Sequence, residues 1–464
     1  MSEVGKFKFT RADLIKWIVT IAFPLAFMLV PINDVYTLPM RSFFVITVFS
    51  LCIIAFELVD LMIIAALMPA LWIAFKVAPA ATAFSAWTST TPYMCMGAFM
   101  LAAILEDCGL LKRISYWIMT KTGDNYLMLL LGVFLAGLVL SILTFGSAYI
   151  VMGALCYGLC RSLNILGTKM AAAVGMTCMI ATSAVKSFTY CATIYGIVGG
   201  MAAQVIPGFQ VTFLQSMVHN WPMGLVCLLT VIIIAKWYKA DRPLNGKEYF
   251  QAELAALGPM SKTEKINVGI LGVIIVFLLS NPWHHLDVAY GFMIFPWLAF
   301  IPMIGSATRE TLKKLNWEMV FFIAACMGIG NVAGSLGFST IITDYCLPLF
   351  ERTGSPYGIF SIVFGLVFVF NFLMTPVAIW TLVTQPIIQI AVSLNMNPLP
   401  FVYALVQSSE AIVLPYEYVS YLAIYAFGMV GMKDFIKMSL VRCAIYFAGF
   451  LILLIPYWKL IGLL

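Results

Sequence analysis

Tyr126 to Cys160 reads YLMLLLGVFLAGLVLSILTFGSAYIVMGALCYGLC. A helix crosses a bilayer with about 20 apolar residues, so this run is too long for one crossing. It also breaks in its middle, at Thr144-Phe145-Gly146-Ser147. A second run, 357–393, is equally long and breaks at Thr375-Pro376. In the simplest threading each is flanked by one polar side, which predicts two re-entrant helical hairpins that enter and leave on the same face. Non-helical backbone at membrane depth is tolerated only inside the bundle, so such breaks line an interior.

The composition agrees. Of 464 residues, 63% are hydrophobic and 10% charged, against about 45–50% and about 25% in ordinary soluble chains. A soluble core cannot hide that excess, which excludes a cytosolic enzyme, a disordered scaffold and a nucleic-acid partner. Met1 to Lys16 is charged and lacks a small-residue cleavage site, so no cleavable signal peptide is expected. The 11 cysteines form no CxxC and sit mostly in apolar runs, as small hydrophobes.

Apolar runs near 17–31, 43–57, 61–76, 91–106 and 170–205 read as spans around the first hairpin, with 212–235 closing the first half. The second half supplies 266–281, 288–304, 318–334, 399–431 and 439–463. The expected fold is an all-α polytopic membrane protein with eleven transmembrane helices plus two re-entrant hairpins. With the N-terminus cytoplasmic and the C-terminus outside, most of the 26 Lys and Arg residues fall on the cytoplasmic side, Arg442 among them. Arg41, Lys76, Arg352 and Lys459 stay outside, and Lys186 remains inside a span. That bias obeys the positive-inside rule, and crossing fully at either hairpin would destroy it. The polar stretch 236–265 is the linker between halves, and 1–16 reads as a cytoplasmic interfacial helix.

The halves match each other at an offset of 231, where Ser162-Leu163-Asn164 falls on Ser393-Leu394-Asn395. Thr189-Tyr190-Cys191-Ala192 falls on Ser420-Tyr421-Leu422-Ala423, and Gly109 on Gly337 at 228. With hairpins opening to opposite faces this is an inverted-topology repeat, the pattern of alternating-access secondary transporters.

The chain resembles, over nearly its full length, the divalent anion–sodium symporter family of di- and tricarboxylate transporters, in the ion transporter superfamily. The resemblance rests on Phe56-Glu57-Leu58-Val59-Asp60, Gly97 to Leu105, and Gly109-Leu110-Leu111-Lys112-Arg113-Ile114. It continues in Leu315-Asn316-Trp317-Glu318, Ala324 to Gly337, and Pro456-Tyr457-Trp458-Lys459-Leu460-Ile461-Gly462. It implies a homodimer working as an elevator in a bacterial or archaeal cell membrane. The scaffold would comprise 17–124 and 266–356, and the transport domain 125–211 and 357–438, with 212–235 and 439–464 as further helices. The chain departs from the family at the hairpin tips. Phe145-Gly146-Ser147 and Pro376-Val377-Ala378 stand where Ser-Asn-Thr motifs bind carboxylate and sodium. Phe188-Thr189-Tyr190 and Val419-Ser420-Tyr421 replace its Pro-Pro-Asn segments.

Candidate site residues follow from these breaks. Thr144, Gly146, Ser147, Ser187, Thr189, Tyr190, Thr375, Pro376, Ser420 and Tyr421 lie where freed N–H groups favour a substrate anion. The same Ser and Thr could instead only satisfy freed backbone. Lys186 is costly in a span, about 2.5–3.5 kcal/mol by insertion scales, and marks function by default. Its ammonium would stand in for a bound sodium ion beside the anion, or else it forms a structural ion pair with Glu410 or Glu417. Those two glutamates are candidate proton carriers. His284-His285 lacks other ligands at metal spacing, so neither metal nor cofactor is expected. The expectation is a non-enzymatic transporter of small organic anions by exchange or proton coupling. Sodium symport, an inorganic or metalloid anion carrier, and a cation–proton antiporter are its rivals.

Overall fold

The computed structural model describes residues 11–56, 58–122, 125–144, 146, 148–241, 246–372 and 374–464. Every regular element among them is helical. Five helices are each long and apolar enough to cross a membrane: Tyr126–Leu143, Phe213–Trp237, Trp317–Ser335, Pro376–Ser393 and the run Met432–Leu460. Thr91–Asp107 and Leu110–Lys121, bent by 68° at Gly109, could make a sixth. Shorter apolar helices such as Leu61–Ala74 and Ala192–Ala203 fill other expected spans. Arg11–Leu25 runs as one helix through the expected boundary between the interfacial segment and the first span. Residues 1–10 lie outside the described residues.

The helices gather into two compact units. One comprises Met1–Pro92 with Trp317–Ile342, and the other Tyr93–Asn316 with Thr343–Leu464. In the first, helix Trp317–Ser335 packs on Leu61–Ala74, and Gly328 lies against the Trp72 ring. Asn331 donates to Ser85 at 2.7 Å across the same unit.

The second unit is built around helix Lys169–Ser183, whose side chains from Met170 to Ser183 are all buried. A helix that is apolar all round belongs at the centre of a bundle. Lipid tails are as apolar as leucine, so small residues that permit close approach hold such helices together. A Cβ on Gly137 would stand 2.7 Å from the Ala181 Cβ, and one on Gly175 would stand 2.5 Å from Val430.

Both long runs fold into paired helices. Tyr126–Leu143 packs on Tyr149–Ser162, and Pro356–Asn371 packs on Pro376–Ser393. Gly146 closes the first arm, donating its N–H to the Ser141 carbonyl at 2.8 Å with φ of +103°, a conformation that suits glycine. The offset of 231 is visible in the backbone. Asn164 and Asn395 each follow the second arm of their hairpin in the left-handed region, at φ of 51° and 52°. The next N–H, of Ile165 or Met396, reaches back to the Cys160 or Ala391 carbonyl, 2.9 Å in both cases. Gly109 and Gly337 likewise share φ of 80° and 77°.

Within the second unit, Arg113 straps the polar stretch to helix Leu110–Lys121. It pairs with Glu264 at 2.6 Å and donates to the carbonyls of Leu257, Gly258 and Pro259. Burial raises the pKa of Glu264, but the Arg113 guanidinium and the Ser261 N–H outweigh it, so the carboxyl sits below its ordinary value. A depressed folded-state pKa gives stability present above the unfolded value and lost as pH falls through the folded one. Arg113→Met is therefore expected to lower the melting temperature at pH 7. That gap should narrow as pH falls below the ordinary carboxyl value of 4.5. A gap that stays constant across a melting series would contradict it.

Candidate functional site

Lys186 lies on the four-residue helix Val185–Phe188, between the end of Lys169–Ser183 and the extended break at Thr189. Glu410 follows the C-terminus of the equivalent helix, Pro398–Ser408, where the chain breaks again. The two breaks face each other. Lys186 Nζ is 2.6 Å from Glu410 Oε1, 3.1 Å from the Val406 carbonyl and 3.4 Å from Ser409 Oγ. Three oxygens thus surround an ammonium with three N–H groups. The Val406 carbonyl belongs to the last turn of its helix, where the macrodipole favours a cation. Of the two glutamates considered as partners, Glu410 is the one that pairs.

A third charge completes the cluster. Arg442 pairs through Nη2 with Glu410 Oε2. The charge pattern placed Arg442 at the cytoplasmic face, but it is 1% exposed, as Lys186 is, with Glu410 at 2%. It sits ten residues into helix Met432–Gly449, whose polar start carries it into the bundle. Its guanidinium lies 5.3 Å from the Tyr421 ring centre and 5.8 Å from that of Tyr446. Tyr421 donates to Glu410 Oε2 at 3.3 Å, and its hydroxyl meets Ser183 Oγ at 2.9 Å.

Beside the charges runs a chain of amides. Gln407 Oε1 accepts from Tyr446 at 2.6 Å and from Ser187 at 3.4 Å. Gln407 Nε2 donates to Asn220 Oδ1 at 3.3 Å, and Asn220 donates to the Ser216 carbonyl at 3.0 Å. Asn220 and Ser216 come from helix Phe213–Trp237, whose Gly224 makes room for the Phe188 ring.

Of the residues expected at the site, the cluster unites Lys186, Ser187, Glu410 and Tyr421. Others lie elsewhere. Thr144 donates to its own helix at Leu140, 2.9 Å away, the backbone-satisfying role. Gly146 approaches Cys191, so the first hairpin tip reaches the first break. At the second hairpin, Asn371 donates to Ala411 at 3.1 Å, touching the second break. Ser147 lies outside the described residues. Thr189, with Leu143, Phe188 and Leu279, lines an apolar cavity of about 260 Å³. Tyr190 stacks on Tyr195 at 5.3 Å. Thr375 and Pro376 open helix Pro376–Ser393, and the Thr375 side chain does not cap it. Ser420 lies in helix Val419–Tyr425. Glu417 accepts the N–H groups of Val413 at 3.0 Å and Leu414 at 2.8 Å, closing its own turn.

Arg442, Gln407 and Asn220 are additions. Arg442 carried a legible signal, the apolar residues on both sides of it in Ser439-Leu440-Val441-Arg442-Cys443-Ala444-Ile445. Asn220 is a polar residue in an apolar span, which signals the same thing.

Three likenesses bear on the chain. The sequence model of a family described as citrate transporter matches residues 51–406. A protein of Cupriavidus necator described as a membrane protein is 23% identical over 270 residues. That alignment takes in 55% of this chain and 52% of the relative, so the chain spans about half the length of the relative it matches. The solved YdaH transporter of Alcanivorax borkumensis superposes with a TM-score of 0.55, over 82% of this chain and 87% of that one. Its identity of 16% makes this a likeness of fold.

Two cations share one buried carboxylate, and this ranks the substitutions. Glu410→Gln leaves Lys186 and Arg442 unneutralised and should cost most, about 3–5 kcal/mol. Lys186→Met leaves a one-to-one Arg442–Glu410 pair and should cost clearly less. Melting temperatures of the purified variants read the order. Equal losses would mean that charge balance does not govern the cluster.

Proposed function

The chain belongs to the citrate transporter family, and from that premise we propose a secondary active transporter of citrate-like di- and tricarboxylates, independent of sodium. The family makes it an integral membrane transporter rather than an enzyme. The reading places it in a bacterial or archaeal cell membrane as a homodimer, with its N-terminus cytoplasmic. The paired helices 126–162 and 356–393 act as re-entrant hairpins of an inverted repeat. They enter from opposite faces, and their tips reach the two breaks.

One observation carries the reading: the oxygen cage around Lys186. A main-chain carbonyl, a hydroxyl and a carboxylate are the hard oxygen ligands that suit a small metal cation. Here an ammonium fixed to the chain occupies that position and supplies positive charge beside an anion without a diffusible ion. The departures at both hairpin tips from Ser-Asn-Thr point the same way. Coupling then comes from exchange of anions or from protons. Lys186 and Glu410 belong one to each half. Their ion pair ties the two broken helices into one body, as an elevator motion of segments 125–211 and 357–438 requires.

Uptake of labelled citrate into proteoliposomes tests this directly. Flux should be the same in sodium and in choline, and should rise when the vesicles are loaded with unlabelled substrate or when a proton gradient is imposed. A strict sodium requirement would sink the coupling assignment, and transport of no carboxylate in a panel would sink the substrate class. Lys186→Ala is expected to abolish uptake in either medium.

A further inference from the structure

The guanidinium of Arg442 carries five N–H groups in a rigid fork and stays charged at any working pH. Its Nη2 meets Glu410, while Nη1 is buried without a hydrogen-bond partner among the described residues. One turn earlier on the same helix, the Ser439 hydroxyl is also buried and unpartnered. A spacing of three residues puts both on one face of the helix. Native structures pair nearly all such groups, so an unpaired donor on a buried cation calls for an explanation.

Charge supplies it. Among the described residues Lys186 and Arg442 have Glu410 as their one ion-pair partner, which leaves the cluster one positive charge in excess. Lys186 already has three oxygens around its ammonium, so the unused donor capacity is at Arg442. Tyr421 and Tyr446 lie against the guanidinium and limit how its plane can turn. A planar anion with two acceptor oxygens matches a planar cation with a free N–H edge.

Resting on the reading of this chain as a carboxylate transporter, we infer that Arg442 and Ser439 form the subsite for one carboxylate group of the substrate. Arg442 Nη1 donates to one of its oxygens and the Ser439 hydroxyl to the other. With the anion bound, two positive charges face two negative ones. Lys186 holds Glu410 from the other side and so keeps that carboxylate from claiming the whole guanidinium fork.

Citrate titrated calorimetrically into the purified full-length protein tests the subsite, with Arg442→Gln, Arg442→Lys and Ser439→Ala beside the wild type. Arg442→Gln should weaken citrate by at least about thirtyfold, as truncating one partner of a buried charge pair does. Arg442→Lys keeps the charge but loses the fork, and should fall between it and the wild type. Ser439→Ala should lose about tenfold, the scale of one hydrogen bond to a charged group. The melting temperature without citrate reports folding, and the citrate-induced rise should shrink in step with affinity. If the wild type binds citrate and a folded Arg442→Gln binds it equally well, the subsite is wrong while the transport reading stands. If the wild type binds no di- or tricarboxylate, both fall. Should Arg442→Gln fail to fold, Ser439→Ala decides: a loss near tenfold supports the subsite, and unchanged affinity overturns it.

Discussion

A charge taken out of water must find its solvation inside the protein, and three such charges meet between Lys186, Glu410 and Arg442. A regular helix offers them little, since its carbonyls and N–H groups are bonded to each other. The chain therefore breaks at two of the three, Lys186 and Glu410, while Arg442 comes in from the continuous helix Met432–Gly449. The end of Pro398–Ser408 releases the Val406 carbonyl to Lys186, and the short helix Val185–Phe188 turns the lysine towards it. Around this polar knot the packing is close and small, with Gly137 on Ala181 and Gly224 on Phe188. Apolar helices in a bilayer gain little by merely meeting, so fit has to do what the hydrophobic effect does in water.

The two halves solve the same problem with different side chains. Asn164 and Asn395 end their hairpins in the same left-handed turn, and Gly109 and Gly337 share a left-handed φ between two helices. Yet one half contributes the cation Lys186 and the other the anion Glu410, so the repeat is a repeat of backbone and not of chemistry. Position 417, the offset partner of Lys186, shows the difference. Glu417 spends its carboxylate on the N–H groups of Val413 and Leu414. The Lys186 ammonium instead reaches across to the opposite half.

Much of this was legible in the sequence. The long runs at 126–160 and 357–393 gave the paired helices, and their breaks the tips. Lys186 stood out because a lysine amid apolar residues has no cheap explanation, and Glu410 and Glu417 were its candidate partners because both fall in spans; the structure pairs it with Glu410. Arg442 was misplaced for a physical reason. It follows a polar helix start with Lys433, Asp434 and Lys437, and a charge count cannot tell an exposed charge from one buried in the bundle. The candidates at Thr144, Thr189 and Ser420 were chosen for lying at breaks, but a break fixes only where the backbone is open, not which way a hydroxyl turns. Thr144 turned to its own helix.

The hydrogen bonds beside the ion cluster all point one way. Tyr446 and Ser187 donate to Gln407, Gln407 donates to Asn220, and Asn220 donates to the Ser216 carbonyl. Two links in that series are carboxamides, which neither take up nor release a proton under ordinary conditions. A hydroxyl or water chain can hand protons along by switching donor and acceptor, but an amide would have to flip over to do so. This flank of the charged cluster therefore fixes the orientation of the polar interior and does not relay a proton by switching donor and acceptor.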